Sequence, residues 1–189
     1  RKAIISSINK DKILEEGYIN NATLVNFPLN SKSKYYDKDI KTLEYSKEKA
    51  KKYFKGLIIA GKMHAAGIDE PIVDMNSIKE FIEAGADVIL MPAVNTVPGL
   101  SEQEVTEACR YIKAHGALSL SAIGTSQEGA DEGTIREIAL LNKRCGIDIQ
   151  HIGDAGFCGI ALPENIMALS IAIRGKRHTY HKIASSINR

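Results

Sequence analysis

The chain has 189 residues, of which 44% are apolar and 25% charged, and its formal net charge is +2. This ordinary composition gives no global reason to expect a nucleic acid or membrane partner, and no run of about 18 apolar residues offers a membrane span. The three cysteines lack CxxC spacing, and no signal-peptide pattern is present, so we expect a cytoplasmic protein. The length predicts one domain over residues 1–189.

The first part of the chain gives weaker signals than the rest. Residues 1–20 predict a helix that ends near Gly17, and the segment ATLVNFPL is a candidate strand because β-branched and aromatic residues gather there. Residues 30–45 are polar and aperiodic, as expected of a linker. The lysine-rich segment SKEKAKKYFK then predicts a helix.

A repeat of about 30 residues organises the remainder of the chain. Glycines recur at steps of 29, 31 and 30 residues, at Gly56, Gly85, Gly116 and Gly146. Each glycine opens a short apolar strand: GLIIAGKM, GADVILMPA, GALSLSAIG and GIDIQHIGDAG. Regular alternation at this period is typical of βα units in a parallel sheet. With ATLVNFPL, the sequence predicts five parallel strands.

Helix-start signals lie in phase with these glycines. A hydroxyl residue followed three positions later by glutamate predicts a capping box at Ser77 with Glu80, Ser101 with Glu104, and Thr134 with Glu137. Asp131 is an alternative N-cap to Thr134. The last helix carries Pro163 in its first turn and is predicted to end at about Arg174. Residues 176–189 form a basic tail, which we interpret as solvated surface.

Five parallel strands allow two α/β architectures. The length favours an open, doubly wound five-stranded sheet, since a (β/α)8 barrel typically needs about 250 residues. The strands themselves favour a barrel, because their polar residues share one face, which suits a barrel interior near its catalytic end. These polar positions are Ser119 with Ser121, Gln150 with Asp154, and Lys62 with His64 beside Ala60.

Four long segments resemble a known family: IIAGKMHAAG, EAGADVILMPAVNTVPG, AIGTSQEGADEGTIREIAL and HIGDAGFCGIALPENIMALSIAIRGKRHTY. Over residues 56–183 the chain is similar to an uncharacterised bacterial family of TIM barrels whose members are often labelled haloacid-dehalogenase-like hydrolases. The resemblance implies the carboxyl-terminal part of a (β/α)8 barrel, with strands four to eight present. The hydrolase label finds no support, because its nucleophile requires Asp-x-Asp directly after the first strand, and no such motif stands there.

The loops after the last two strands, GTSQEGADEGT and GDAGFCGI, are rich in glycine and small residues. Exposed backbone N–H groups in such loops favour an anion, and in many barrels they hold a phosphate. Turn formation alone is the alternative explanation. The predicted phosphate-binding positions are Gly124, Thr125, Ser126, Gly153, Ala155 and Gly156.

Four residues near the strand ends are candidates for catalysis. Lys62 could form an imine or stabilise an enolate, and His64 on the same side could move protons. Asp154 and Glu128 could act as general bases. An ion pair of Lys62 with Asp154 or Glu128 is the structural alternative.

A metal site built from His64, His151 and Asp154 is a further alternative. The chain lacks HxH and has no histidine in the loop PAVNTVPG, so the usual ligand count is not met. His178 and His181 in the basic tail are expected to face solvent. No strand is followed by GxGxxG or a P-loop, so no cofactor is indicated.

We therefore expect a TIM-barrel enzyme of lyase or isomerase type acting on a small anionic or phosphorylated metabolite. The first alternative is an inactive barrel fragment that associates with other copies through its exposed sheet edges. The second is a metal-dependent hydrolase. We expect a homo-oligomer with no nucleic acid or membrane partner.

Overall fold

The computed structural model describes residues 2–19, 22, 32–36, 43–54, 56–63, 69–124, 126–154, 156 and 159–187. These residues form two compact units, Arg1–Gly56 and Leu57–Arg189, which we describe separately. All but the first residue of the predicted strand ATLVNFPL lies outside the described residues. Among the described residues, no helix combines the length and apolar character needed to cross a membrane.

The first unit is helical where it is described. It contains α1 (Lys2–Ser7), α2 (Lys10–Lys12), a π-helical turn (Ile13–Gly17) and α3 (Lys47–Tyr53). The single helix predicted for residues 1–20 is therefore interrupted, because the Asn9 side chain accepts a hydrogen bond from the Lys12 N–H and starts a new helix. The helix predicted for SKEKAKKYFK is confirmed, with Ser46 as its N-cap.

The second unit is an α/β structure in which strands and helices alternate, as the glycine repeat predicts. Its elements are β1 (Ile59–Gly61), α4 (Met75–Glu83), β2 (Val88–Pro92), α5 (Glu102–Ala114), β3 (Leu118–Ile123), a 3-10 turn (Gln127–Gly129), α6 (Glu132–Cys145), β4 (Ile149–Ile152) and α7 (Pro163–Ala184). The four strands are parallel and lie in the order β1-β2-β3-β4. The carboxyl ends of all four strands therefore meet at one edge of the sheet.

One face of this sheet packs against the helices. Ile89 and Met91 of β2 join a core with Val105 and Ile112 of α5, and Ile123 of β3 joins a second core with residues of α6 and α7. The register places Ser119 and Ser121 beside Ile89 and Met91, on this same face. The two serines share a face as predicted, but that face lies against the helices, so the prediction that they line a barrel interior is wrong.

The opposite face of the sheet is apolar. Alternation along the strands places Ile59, Leu90, Leu118 and Ile149 there, and each exposes more than a third of its surface. Val88 and Leu120 on the same face are buried. The hydrophobic side of the sheet away from the helices is thus only partly covered.

The helix starts show which capping signals the chain uses. The capping box of Ser101 with Glu104 is confirmed. Two other boxes are wrong: Asp74 caps α4, and Asp131, the alternative to Thr134, caps α6. In both cases an aspartate stands three residues before the predicted hydroxyl, and the hydroxyl of Ser77 or Thr134 donates to that aspartate from inside the first turn. Each helix therefore begins one turn earlier than predicted.

The last helix is broken at Gly175. Its first run ends at Arg174, as predicted, because Gly175 has φ 78° and ψ 163°, a conformation that only glycine adopts readily. The chain then resumes a helical path over residues 176–184, where the sequence predicted only a basic tail.

Candidate functional site

The loop between β3 and α6 carries a buried carboxylate at the carboxyl edge of the sheet. Gly124 leaves the strand, Ser126 adopts a left-handed conformation with φ 73°, and the 3-10 turn then begins. This turn points the Glu128 side chain inward, where the residue is only 8% exposed. Within the described part of the chain, Glu128 Oε2 is fully buried and has no hydrogen-bond partner.

The neighbours of Glu128 fix its position. A Cβ built on Gly153, the residue that follows β4 directly, would lie 3.3 Å from Glu128 Oε1 and 3.2 Å from the Ile123 carbonyl oxygen. The Asn165 side chain of α7 donates to the backbone oxygens of Glu128 and Ala130 at 3.0 and 2.8 Å. The end of β4 and the Asn165 side chain of α7 therefore fix the position of Glu128.

Asp154 follows Gly153 and organises the next loop. Its two carboxylate oxygens accept hydrogen bonds from the N–H groups of Gly156 at 3.1 Å and Gly159 at 2.7 Å. These bonds hold the pKa of Asp154 below its ordinary value. A carboxylate that is stabilised in its ionised form is a weak general base near neutral pH, so the geometry favours a loop-ordering role for Asp154.

The predicted phosphate positions have fewer free donors than their glycines suggest. The Gly153 N–H donates to the Ile123 carbonyl oxygen, and the Gly156 N–H donates to Asp154. In this conformation Asp154 therefore occupies the loop as an internal anion. Gly124 and Ser126 are exposed beside the Glu128 turn, whereas Thr125 and Ala155 lie outside the described residues.

Lys62 lies away from this site. Its Nζ forms an ion pair with Glu70 at 2.9 Å and a weaker hydrogen bond to the Pro71 carbonyl oxygen at 3.4 Å. It follows β1, and β1 and β4 are the two outer strands, so about 14 Å separates their backbones at the usual strand spacing. The structure thus brings Glu128, Gly153 and Asp154 together, but does not bring Lys62 to them.

The remaining candidates form no second constellation in the described residues. His64 lies outside them, and His151 is exposed on the face of β4 away from the helices. Among the described side chains, no three His, Cys, Asp or Glu groups are placed to hold a metal ion. Burial raises the pKa of the Cys109 thiol to about 11, so Cys109 stays protonated and does not act as a nucleophile near neutral pH.

Sequence reasoning missed the polar residues that hold the sheet together at its amino edge. Asp148 accepts hydrogen bonds from the Ser119 N–H at 3.0 Å and the Ser119 hydroxyl at 2.9 Å, and Asp87 accepts one from the Ile58 N–H at 2.9 Å. Both aspartates reach back 29 residues to the preceding strand. Their shared place, two residues after a repeat glycine, was the available signal.

A second missed group is Asn142 of α6, which is fully buried. Its side chain accepts from the Val94 N–H at 3.1 Å and donates to the Ile138 carbonyl oxygen at 2.7 Å. It anchors the loop after β2 to α6. A lone asparagine among apolar helix residues was the only signal in the sequence.

The arrangement at the ends of β3 and β4 is suited to proton transfer. It offers a carboxylate enclosed by protein, with one oxygen against Gly153 and the other without a partner in the described residues. Gly124 and Ser126, which precede Glu128 in the same loop, are exposed. A carboxylate in such surroundings can take a proton from a bound molecule or return one to it.

The comparisons with known proteins supply a family. The sequence model described as a domain of unknown function (DUF7916) matches residues 28–189, so the chain belongs to the DUF7916 family. No curated protein and no solved structure matches the chain. The family description gives no activity, and the function therefore rests on the chemistry of the site.

Proposed function

We propose that this member of the DUF7916 family is an enzyme of lyase or isomerase type, in which Glu128 transfers a proton to and from a small anionic metabolite. The observation that carries the proposal is the buried Oε2 atom of Glu128, which lacks a hydrogen-bond partner among the described residues. It lies at the carboxyl edge of a parallel sheet, where α/β folds place their chemistry.

Energetics support a functional reason for this carboxylate. Leaving a buried polar group without a hydrogen bond costs about 1–3 kcal/mol, and more when the group is charged. Nearly all buried polar groups in native proteins avoid this cost by finding a partner. A substrate that supplies a proton donor to Oε2 would recover it on binding.

The anionic part of the substrate would lie beside Gly124 and Ser126, where the backbone is exposed and a hydroxyl is available. Because Oε2 is enclosed, we expect the loop after β4 to shift when substrate enters. That loop turns through two left-handed glycines, Gly156 and Gly159, and is held by the Asp154 carboxylate. Lys62 has no part in the proposal, since it is paired with Glu70 in the segment that follows β1, the outer strand farthest from β4.

We also propose that the four strands are consecutive strands of a (β/α)8 barrel. Strands that neighbour each other in sequence also neighbour each other in the sheet, and the cores place the helices on one face. Doubly wound sheets instead reverse their strand order at a switch point and carry helices on both faces. The partly exposed apolar face would then be turned toward the barrel axis.

Solvent exchange tests the role of Glu128 without knowledge of the full reaction. The protein is incubated in D₂O with a panel of small carboxylates and phosphorylated hydroxy and keto acids, and proton NMR follows the loss of carbon-bound protons. We expect exchange at one carbon of at least one panel member with the wild-type protein. Glu128→Gln, which preserves shape but cannot take a proton, should reduce the rate by at least a hundredfold.

Glu107→Gln is the matched control, because Glu107 is an exposed glutamate on α5 whose contact is with Gln103 on the same helix. It should exchange at the wild-type rate. Equal exchange by Glu128→Gln and the wild type would remove Glu128 from the mechanism. Absence of exchange across the panel would count against proton transfer from carbon.

One observation favours the association of copies as a second function. Four large apolar side chains on the sheet face away from the helices each expose more than a third of their surface, and exposed apolar patches mark contact sites. A second copy of the chain would cover this face. Light scattering should show a dimer that Leu118→Lys converts to a monomer, and a wild-type monomer at high concentration would contradict this function.

A further inference from the structure

An open cleft next to the break in α7 is lined entirely by basic side chains, all of them exposed. The cleft has a volume of about 550 Å³. It is lined by Arg174, Arg177, His178, His181 and Lys182. The sequence alone suggested a solvated basic tail. In the structure, Arg177, His178, His181 and Lys182 share one face of the helical run after Gly175, and Arg174 stands at the end of the run before it.

Hydrogen bonds fix the shape of this cleft. The Thr179 hydroxyl lies 2.9 Å from both the Ser170 hydroxyl and the Gly175 carbonyl oxygen. In a straight helix, residues nine apart would be separated by about 13 Å along the axis, so this contact exists only because the chain turns back at Gly175. Arg174 Nε donates to the Ser170 hydroxyl at 3.0 Å, which orients its guanidinium.

The charges in the cleft are not neutralised by the chain itself. Within the described residues, none of the five side chains forms an ion pair, and no acidic residue lines the cleft. Arg174, Arg177 and Lys182 carry full positive charges near neutral pH. Like charges three and four residues apart on a helix repel one another, and a bound anion would relieve the repulsion.

We propose that this cleft binds a small molecule that carries two or more phosphate groups. Arginine forks match phosphate oxygens in a bidentate manner, and lysine and histidine add charge around them. The volume is in the range of small-molecule sites. The lining contains no Phe, Tyr or Trp side chain, the usual stacking platforms of single-stranded nucleic acid sites, so we favour a small phosphorylated molecule as the ligand.

The site goes beyond the enzymatic function proposed above. It includes neither Glu128 nor any residue of the loops after β3 and β4. Either proposal can therefore fail without the other.

Isothermal titration of the full chain with inorganic tripolyphosphate tests the site. We expect saturable one-to-one binding in buffer of moderate ionic strength. Arg177→Gln with Lys182→Gln removes two charges from the cleft without breaking the hydrogen bonds that shape it, and should weaken binding at least tenfold. Lys51→Gln with Lys52→Gln removes two charges from α3 and should change the affinity less than twofold.

A second variant tests the shape separately from the charge. Gly175→Ala keeps every basic residue but disfavours the break, so a folded Gly175→Ala protein should also bind at least tenfold more weakly. The proposal is overturned if the wild type does not bind, if the α3 control loses as much affinity as the cleft variant, or if folded Gly175→Ala binds normally. Tighter binding of a 20-nucleotide single-stranded RNA than of tripolyphosphate at the same cleft would replace the proposed ligand class.

Discussion

The two edges of the β-sheet differ in how they treat buried polar groups. At the amino edge, the buried Ser119 hydroxyl and N–H both meet Asp148, and the Lys113 ammonium lies 3.5 Å from that carboxylate. At the carboxyl edge, Glu128 is also buried, but one of its carboxylate oxygens has no hydrogen-bond partner in the described residues. The amino edge therefore stabilises the fold. The carboxyl edge carries a buried carboxylate whose missing hydrogen bond costs free energy, and we attribute that cost to function.

Removing the hydrogen-bond partner of Ser119 at the amino edge should have the largest effect on stability. Asp148→Ala removes the carboxylate that accepts from the buried N–H and hydroxyl of Ser119. It leaves the N–H unpaired and the hydroxyl bonded to the backbone N–H of residue 148, and should lower the free energy of unfolding by about 3 kcal/mol. Urea denaturation followed by circular dichroism measures this. Asp87→Ala is the control, since it removes one hydrogen bond to an exposed segment and should cost about 1 kcal/mol. Equal losses would show that the burial of Ser119 does not matter.

At the carboxyl edge, we expect a substitution to increase the free energy of unfolding. Glu128→Met replaces an unpartnered carboxylate by an apolar side chain of similar length and should raise the free energy of unfolding by about 2 kcal/mol. The same denaturation experiment applies. A loss of stability would mean that Glu128 has a favourable partner in the folded protein, and the proposed function would lose its main support.

Gly153 tests how tightly the Glu128 pocket is packed. Gly153→Ala places a methyl group 3.2 Å from the Ile123 carbonyl oxygen and 3.3 Å from Glu128 Oε1. We expect a loss of about 1 kcal/mol, as for modest overpacking. In an Glu128→Ala background the loss should be smaller, because one of the two contacts is gone. Strict additivity in the double variant would show that the two residues do not touch.

The smallest expected effect is the acid response of Asp154. Its pKa is lowered in the folded state, so its contribution to stability is present above the unfolded value of about 3.9 and is lost as pH falls through the lowered pKa. Asp154→Ala should therefore melt at a lower temperature than the wild type at pH 7, and the difference should shrink at pH 3. A constant difference across this range would contradict the assigned hydrogen bonds.

Local signals in the sequence predicted much of the second unit. The glycine spacing gave four strands because each repeat is a self-contained βα unit, and Ser101 and Pro163 marked helix starts that neighbouring residues fix. The caps at Ser77 and Thr134 were wrong because aspartate competes for the same role three residues earlier. Which of the two residues becomes the N-cap depends on the path of the chain between the preceding strand and the helix.

The site was harder to predict because it depends on contacts distant in sequence. Alternation showed that Ser119 and Ser121 share a face, but only packing shows that this face meets the helices. Glu128 was a candidate because it lies near a strand end, but its burial depends on Gly153 and Asn165, which lie 25 and 37 residues further along. Lys62 pairs with Glu70, a neighbour that strand periodicity does not identify.

The hydrogen bonds of Asp87 and Asp148 to residues earlier in the chain affect how the protein folds during its synthesis. Each aspartate lies just before its own strand. Its carboxylate accepts a hydrogen bond from a residue 29 positions earlier, near the start of the preceding strand in the sequence. On the ribosome, β1 and β3 would stay unfastened until the next repeat had left the exit tunnel. Each of these strands would therefore gain its aspartate hydrogen bond only after the next repeat has been synthesised, and folding would proceed stepwise from the amino terminus.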